Sequence, residues 1–442
     1  MIFDCFTFFN ELDLLEIRLR LLDEVVDYFV LCEAPFTFRG APKDLVFSQA
    51  GSRFEQWSSK IIHLVYNGPV QEDPWHNEWG QRDYLIEGLT GAGPEDLILL
   101  GDCDEIPAPA NVGARPVSRL LLGHRQRLSQ GWVNRVQGTW VGTRSLVRRN
   151  IARYGPLSDV RKQPESDIEI VDGGWHFSSF GGADVMKTKL HSFAHSEMDI
   201  PYVTDARRLH VEFEEASGSF TWIPLDDSFP ALFREPRWAR YVAAAPSALD
   251  ARTGKALGHI HGCFAYVPSG ANQIAVLAWD DVPLWERAGR ERFGARFAGV
   301  ATAVDDLPAA SANGWLVVDG LERLDRPSAA ALAARTCGIV AYGRNARSFL
   351  VFERVLAGGT FPAGEALGLS ELRERMRIAG GEPERTDRIR SQDVFAVWSQ
   401  IPEMLHAVVL GSNLRFEQIS RDDMNDFLTH GIVMTSERNG LA

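Results

Sequence analysis

The chain has 442 residues, 45% hydrophobic and 24% charged, with a formal net charge of −13. That length is long for one hydrophobic core and predicts two domains of ordinary globular composition. The acidic balance argues against general nucleic-acid binding and against a basic membrane-surface patch.

In chain order, residues 2–9 read as a strand. Asn10 is the expected N-cap of a helix over 11–22, where Leu14, Leu15, Ile17, Leu19, Leu21 and Leu22 are apolar with charges between. Strands follow at 25–31 and 61–66, then a helix over 78–89 ended by Gly91 and Gly93, then a strand at 97–100. This strand–helix–strand spacing predicts a Rossmann-like parallel sheet. Residues 117–222 are less regular, with several short strands and turns. The Ala- and Gly-rich stretch 241–258 is the best linker candidate. After about residue 270 a second α/β pattern begins, with segments at 273–280, 299–308, 314–334 and 337–345 and a helix–Gly turn–strand at 367–389. The expected division is a first domain over 1–245, a linker over 246–271 and a second domain over 272–442.

The five cysteines (Cys5, Cys32, Cys103, Cys263 and Cys337) are scattered and odd in number, with no Cys-x-x-Cys. They predict neither a zinc site nor a disulfide framework, and they fit a reducing, cytoplasmic compartment. The opening MIFDCFTFFNELDLLE has no basic start and reads as a strand rather than a signal peptide. No apolar run reaches the length of a membrane span, so membrane association is expected only in peripheral form.

Four stretches carry chemistry. The first is DLILLGDCDEIP at 96–107, an apolar strand broken by Asp102, Asp104 and Glu105. Ligands of open α/β sheets sit beyond the carboxyl ends of the strands. Asp102 and Asp104, two apart, can face one side of an extended segment. Two hard carboxylates there suit Mg²⁺ or Mn²⁺, which can in turn hold a diphosphate. An acidic turn after a strand has the same three letters. The second, CEAPFTFRGAPKDLVF at 32–47, puts Glu33 at a strand end and Arg39 and Lys43 in the loop after it. It reads equally as a nucleotide-facing loop, with Glu33 on base or ribose and Arg39 or Lys43 on phosphate, or as a solvated loop with a local ion pair.

The third, PWHNEWGQRDYL at 74–85, opens a helix with Glu78 and Arg82 four apart, as are Trp75 and Trp79. The tryptophans read as packing on the sheet, and Arg82 and Asp83 as reaching the site. The fourth, DGGWHFSSFGGADVMKTKLHSFAHSE at 172–197, sets Trp175, His176, Phe177 and Phe180 between glycine pairs. Aromatic faces there can stack on a sugar. Asp184 then opens a helix carrying Lys187, Lys189, His191 and His195, the two histidines four apart on one face.

Taken in order, FNELDLLEIRL, CEAPFTFRGAPKDLVF, NEWGQRDYL before GDCDEIP, and GWHFSSFGG before KTKLHSFAHSE resemble glycosyltransferase family 17 over roughly residues 1–240. These are the β-1,4-mannosyl-glycoprotein 4-β-N-acetylglucosaminyltransferases. The resemblance implies a GT-A-type fold, a nucleotide-sugar donor, most simply UDP-GlcNAc, and inversion at the anomeric carbon. It makes Asp102 and Asp104 the acidic donor motif, Glu33 the strand-end carboxylate, and Trp175 and His176 the Gly-Trp-His segment. The expected donor-binding set is Glu33, Arg39, Arg82, Asp83, Asp102, Trp175 and His176. The expected Mn²⁺ or Mg²⁺ ligands are Asp102, Asp104 and His195. Asp184, after a glycine turn beside the aromatic platform, is the expected base, with Glu105 the second catalytic candidate. The cytoplasmic character shifts the expected acceptor from an N-glycan to a lipid-linked oligosaccharide or a surface polysaccharide.

The C-terminal pattern resembles the later half of a class I methyltransferase, with DGLERLDRP at 319–327 after a strand. The glycine loop that cradles S-adenosylmethionine is missing from the turn after residue 278. The expected fold is therefore α/β throughout: a GT-A-type Rossmann-like mixed sheet, then a smaller methyltransferase-like α/β domain without cofactor. A sugar-binding or scaffold protein, and a bifunctional glycosyltransferase/methyltransferase, are the alternatives.

Overall fold

The computed structural model describes residues 1–195, 199, 201–215, 221–243, 251–311, 313–320, 323–333, 335, 337–343, 393–398, 406–410 and 416–419. The chain divides into two compact units: Met1–Ser196 with Leu209–Gly254, and Glu197–Arg208 with Lys255–Ala442.

The first unit is built on one mixed sheet. Its strands are β1 (Ile2–Thr7), β2 (Tyr28–Glu33), β3 (Ile61–Val65), β4 (Leu97–Asp102), β5 (Glu105–Pro107), β6 (Leu122–Gln130), β7 (Arg135–Val147), β8 (Glu169–Ser178) and β9 (Thr221–Trp222). They run in the order β3-β2-β1-β4-β7-β6-β8-β5, with β9 on β7. The half β3-β2-β1-β4 is parallel, and β7 joins β4 antiparallel. The interiors of β2 and β4 are apolar because both faces are covered, and β1 is apolar but for Asp4 and Thr7. Phe29, Leu31 and Leu99 face one core with Leu14, Leu15 and Leu19, and Val30, Ile98 and Leu100 face the other with Leu85, Leu89 and Val160.

The helices of this unit are α1 (Leu12–Leu22), α2 (Val46–Gln49), α3 (Pro74–Tyr84), α4 (Leu157–Lys162) and α5 (Ala183–Ser192). One start differs from expectation. The residue before α1 is Glu11, not Asn10, and its carboxylate turns back to accept the N–H groups of Phe9 and Asn10 at 3.0 and 2.9 Å. Helix α3 begins at Pro74, as the reading of 74–85 expects, because Asp73 caps it by accepting the Trp75 N–H at 2.9 Å and proline suits the first helical position.

The region 117–222 is not a run of short strands. β6, β7 and β8 have 9, 13 and 10 residues. Register shifts in β6 and buried polar groups, among them His124, Gln126, Thr143 and Ser145, erase the alternation that marks a strand in sequence. Of these, His124 carries a pH dependence. Burial, with the Arg144 charge adding to it, pushes its imidazole down to about 4. The unfolded chain binds a proton near pH 6.5 that the folded ring refuses until about pH 4. Stability is thus full above pH 6.5 and falls as pH drops, by up to about 3 kcal/mol at pH 4. Urea unfolding at pH 7 and pH 4.5 checks this: His124→Gln should shrink the difference between the two midpoints, and an unchanged difference counts against it.

The second unit holds a sheet of seven strands: β10 (Gln273–Ala278), β11 (Phe297–Ala301), β12 (Gly314–Asp319), β13 (Gly338–Gly343), β14 (Asp393–Trp398), β15 (His406–Leu410) and β16 (Phe416–Ile419). Its order is β11-β10-β12-β13-β14-β15-β16, parallel as far as β13 and antiparallel beyond. The remaining helices of the chain are α6 (Pro201–Thr204), α7 (Ala206–His210), α8 (Ala251–Phe264), α9 (Val282–Phe293) and α10 (Arg326–Ala333).

The expected linker 246–271 contains α8, which buries Leu257, Ile260, Cys263 and Phe264. The small residues that suggested a linker allow close packing instead. A Cβ on Gly262 would lie 2.5 Å from the Tyr202 ring. The expected helix–turn–strand at 367–389 lies outside the described residues.

The carboxyl end of β10 is where an open α/β sheet would seat a nucleotide cofactor. Trp279 stands there, 3.4 Å from where a Cβ on Gly320 would be, and Asp280 pairs with Arg323. We therefore expect titration calorimetry with S-adenosylmethionine and S-adenosylhomocysteine to give no micromolar binding, and such binding by either would overturn the cofactor-free reading.

Candidate active site

At the carboxyl end of β4 the apolar run gives way to Gly101 and Asp102, Cys103 and Asp104 form a turn, and Glu105 begins β5. The Asp-x-Asp is therefore bent rather than extended, and its two carboxylates take different partners. β5 does not continue β4 but pairs antiparallel with β8, setting Glu105 opposite His176. The glycines before His176 serve this pairing: a Cβ on Gly174 would lie 2.7 Å from the Ala108 nitrogen.

Glu105 is wholly buried. Its Oε1 accepts the Trp140 indole N–H at 2.7 Å and pairs with Arg161, and its Oε2 accepts the Asp102 N–H at 3.1 Å. Two glycines make room for it, since a Cβ on Gly142 would lie 2.9 Å from its Cδ and one on Gly101 3.2 Å from its Oε2. With its oxygens engaged and no exposure, Glu105 cannot act as a catalytic carboxylate. It is a positioning residue that braces the loop from below.

A second brace comes from α1. Arg18 of α1 and Asp4 of β1 form a bidentate ion pair at 2.7 and 2.6 Å, and both side chains are fully buried. The remaining nitrogen, Nη1, donates to the carbonyl oxygens of Asp102, Cys103 and Glu105 at 2.9, 3.3 and 2.8 Å. One guanidinium thus fixes three carbonyls of a four-residue loop.

The two aspartates remain the reachable groups, with side chains 37% (Asp102) and 15% (Asp104) exposed. Asp102 Oδ1 accepts from Arg82 at 2.8 Å and from the Thr7 hydroxyl at 3.4 Å, with Arg161 3.9 Å from Oδ2. Burial works against its charge, but Arg82 and Arg161 hold its carboxyl below the usual range. Asp104 Oδ2 lies 3.3 Å from His176 Nε2 and 3.5 Å from Lys189 Nζ. Burial opposes its ionisation too, and His176 and Lys189 overcome it, so its carboxyl also lies well below the usual range. Both aspartates are ionised at neutral pH. Mg²⁺ and Mn²⁺ take hard oxygen donors and commonly use one or two carboxylates, completing their shell with phosphate and water. The pair fits that donor chemistry.

Several expected site residues lie elsewhere in role. Glu33 is fully buried and does not face a cleft. Its oxygens accept from Phe47 N–H and Ser48 N–H, both at 3.2 Å, and bond His63 at 2.9 Å, so it caps the start of α2. Burial opposes its charge, while His63 and those amides keep the carboxyl below the usual range. Asp83 accepts the Ser158 N–H at 2.7 Å and so pins α4, which carries Arg161. Arg39 is exposed, with Nη1 3.5 Å from the His191 carbonyl oxygen.

Trp175 and His176, neighbours on a strand, point to opposite faces. His176 meets Asp104, while Trp175 packs against the α1-side core and donates to the Ser228 carbonyl at 3.0 Å, so it is not an open platform. Asp184 is exposed on the first turn of α5. Five residues separate it from Lys189, about 140° around the helix, so the face that meets Asp104 is not its own. His195 lies beyond the end of α5 at Ser192, and its ring meets Trp75 edge-on at 4.7 Å. No group of three or more His, Cys, Asp or Glu suited to a metal occurs among the described residues, so the set Asp102, Asp104 and His195 is not assembled.

Sequence reasoning missed Asp4, Arg18, Arg161 and Trp140. For the first pair the signal was available: a charge inside the apolar run of β1 and one between Ile17 and Leu19.

A family model described as glycosyltransferase family 17 matches residues 1–237. The human and rat beta-1,4-mannosyl-glycoprotein 4-beta-N-acetylglucosaminyltransferases are each 35% identical over 109 residues, which is 22% of this chain and 20% of theirs. The match thus spans about one fifth of the length of those curated relatives. Among solved structures, HddC from Yersinia pseudotuberculosis aligns over 40% of this chain and 89% of its own at 11% identity, with a TM-score of 0.24. The mannosyltransferase PcManGT from Pyrobaculum calidifontis, solved with GDP-Man and Mn²⁺, aligns over 46% of this chain and 72% of its own at 11% identity and a TM-score of 0.27. Superpositions of that quality do not establish a shared fold. The family match covers more than half of the 442 residues, and the chain belongs to glycosyltransferase family 17.

Proposed function

We propose that this protein is an inverting, metal-dependent glycosyltransferase of GT-A type that moves a sugar, GlcNAc being the simplest, from a UDP-sugar to a glycan. The observation that carries the reading is the pair of ionised carboxylates, Asp102 and Asp104, braced at the carboxyl end of the parallel strands. Asp102 and Asp104 would hold Mn²⁺ or Mg²⁺, which supplies Lewis-acid neutralisation of the leaving diphosphate.

The chain's own residues do the rest. Arg82, four-residue partner of Glu78 at 3.1 Å, holds Asp102 in place. Arg161 and Lys189 bring fixed positive charge to the edge where the diphosphate departs, and such preorganised charge favours the transition state. His176 orients Asp104. In a single in-line displacement the acceptor oxygen bonds to the anomeric carbon as the bond from that carbon to the diphosphate oxygen breaks, so the carbon inverts, UDP leaves and the hydroxyl proton passes to solvent.

The acceptor we favour is a lipid-linked oligosaccharide or a polysaccharide met on the cytoplasmic side. Support comes from the cysteines, all five free, with Cys5, Cys32, Cys103 and Cys263 buried. No helix among the described residues is long and apolar enough to cross a membrane, and peripheral association is compatible with the reading. The test is UDP release from a panel of UDP-sugars with Mn²⁺, with Mg²⁺ and with chelator. Release or stabilisation by UDP that needs the metal is expected. A chain that neither binds UDP nor releases it under any of these conditions is a scaffold, not a transferase.

A further inference from the structure

We infer that Trp140 is a pyranose-stacking platform, the ring on which a substrate sugar lies during transfer. This inference rests on the glycosyltransferase reading and names a recognition element within it. Trp140 lies on β7 within a run of four exposed residues, Gln137, Gly138, Thr139 and Trp140, and its own side chain is 44% exposed. Its ring presents apolar surface that a ligand can cover. Here the ring is also held still. Its N–H donates to the buried Glu105 carboxylate at 2.7 Å, and Glu105 is itself ion-paired with Arg161. The Arg161 guanidinium lies 6.0 Å from the ring centroid, and the His176 ring, which bonds Asp104, lies 5.8 Å away.

The indole is therefore oriented before any ligand arrives, and fixing a contact surface in advance lowers the ordering cost of binding. The carboxylate that holds it is itself fixed by a guanidinium and given room by two glycines, although Trp140 lies outside both hydrophobic cores.

Its place in the sheet says which part of a substrate it meets. β4 lies between β1 and β7. The ends of β1 and β2 flank the acidic loop on the parallel side, the side on which open α/β sheets take nucleotides. Trp140 flanks the loop on the antiparallel side, next to His176. A nucleotide lying over the parallel ends leaves Trp140 facing the sugar side of the diphosphate. The apolar C–H face of a pyranose suits an aromatic face as any apolar surface does. The ring could belong to the transferred sugar or to the acceptor.

The experiment uses the full chain and Trp140→Ala, with calorimetric titration of UDP, of UDP-GlcNAc, and of β-1,4-mannobiose and chitobiose in the presence of UDP, all with Mn²⁺. UDP affinity should stay within twofold in Trp140→Ala, while at least one sugar-bearing ligand weakens about tenfold or more. Loss confined to UDP-GlcNAc assigns the platform to the transferred sugar, and loss on a disaccharide assigns it to the acceptor. Trp140→Phe keeps a ring but loses the tie to Glu105. It should show a several-fold rather than a tenfold loss of that sugar affinity, and it replaces alanine as the informative variant if alanine does not fold. Equal weakening of UDP and UDP-GlcNAc would overturn the inference in favour of base stacking, and so would unchanged affinity for every sugar-bearing ligand. Absence of UDP binding by the unaltered chain overturns the glycosyltransferase reading itself, and this inference with it.

Discussion

Asp104→Ala is expected to lower metal-dependent UDP release by about 10³-fold or more while leaving the chain folded. The side chain sits at a strand end, outside both hydrophobic cores, and its partners are His176 and Lys189. Removing it unpairs an ammonium, but the Lys189 side chain is 37% exposed and can hydrate, so the stability cost is about 1 kcal/mol or less. What is lost is one of two hard oxygen donors, and no third ligand group among the described residues compensates. Asp104→Asn separates charge from shape: it can still meet His176 but cannot neutralise a divalent cation, and it should be as inactive as alanine. UDP release and thermal unfolding, each with and without Mn²⁺, check both variants. Turnover that keeps its metal dependence in Asp104→Ala would remove Asp104 from the metal site.

The legible parts of the molecule are those where one local rule acts alone. β2 and β4 are buried on both faces, so their interiors read as unbroken apolar runs, and the first charges after the apolar run of β4 mark the site directly. The misread residues share a cause. A carboxylate at a strand end or on a helix looks the same in sequence whether it faces a ligand or caps another element. Glu33 caps α2, 14 residues downstream, and Asp83 caps α4, 75 residues downstream. No spacing rule spans the second distance. Trp140 was hidden for a different reason: β6 and β7 bury polar side chains and carry register shifts, so no alternation singled out the exposed tip. Arg18 was passed over as one of the charges between the apolar residues of a helix, whereas α1 is buried at every position from Leu14 to Leu19.

The Arg18 pair provides the second large effect, and it separates folding from function. Arg18→Met leaves Asp4 as an unpaired charge at zero exposure and strips three loop carbonyls of their donor. Removing one partner of a buried ion pair typically costs about 3–5 kcal/mol. Replacing both partners by apolar residues of similar volume is often neutral or stabilising. The double variant Asp4→Leu/Arg18→Met should therefore recover most of the stability in urea unfolding. It should not recover turnover. The carbonyls of Asp102, Cys103 and Glu105 still lack their common donor, and a shift of about 1 Å in a positioned group can cost about 10²-fold in rate. The expected double variant is thus folded, with kcat/KM for the UDP-sugar down by about 10²-fold and weaker stabilisation by UDP with Mn²⁺. Recovery of both stability and turnover would make the pair a core feature with no part in holding the acidic loop. A cost below about 1 kcal/mol for Arg18→Met alone would show that the buried pair does not form in solution.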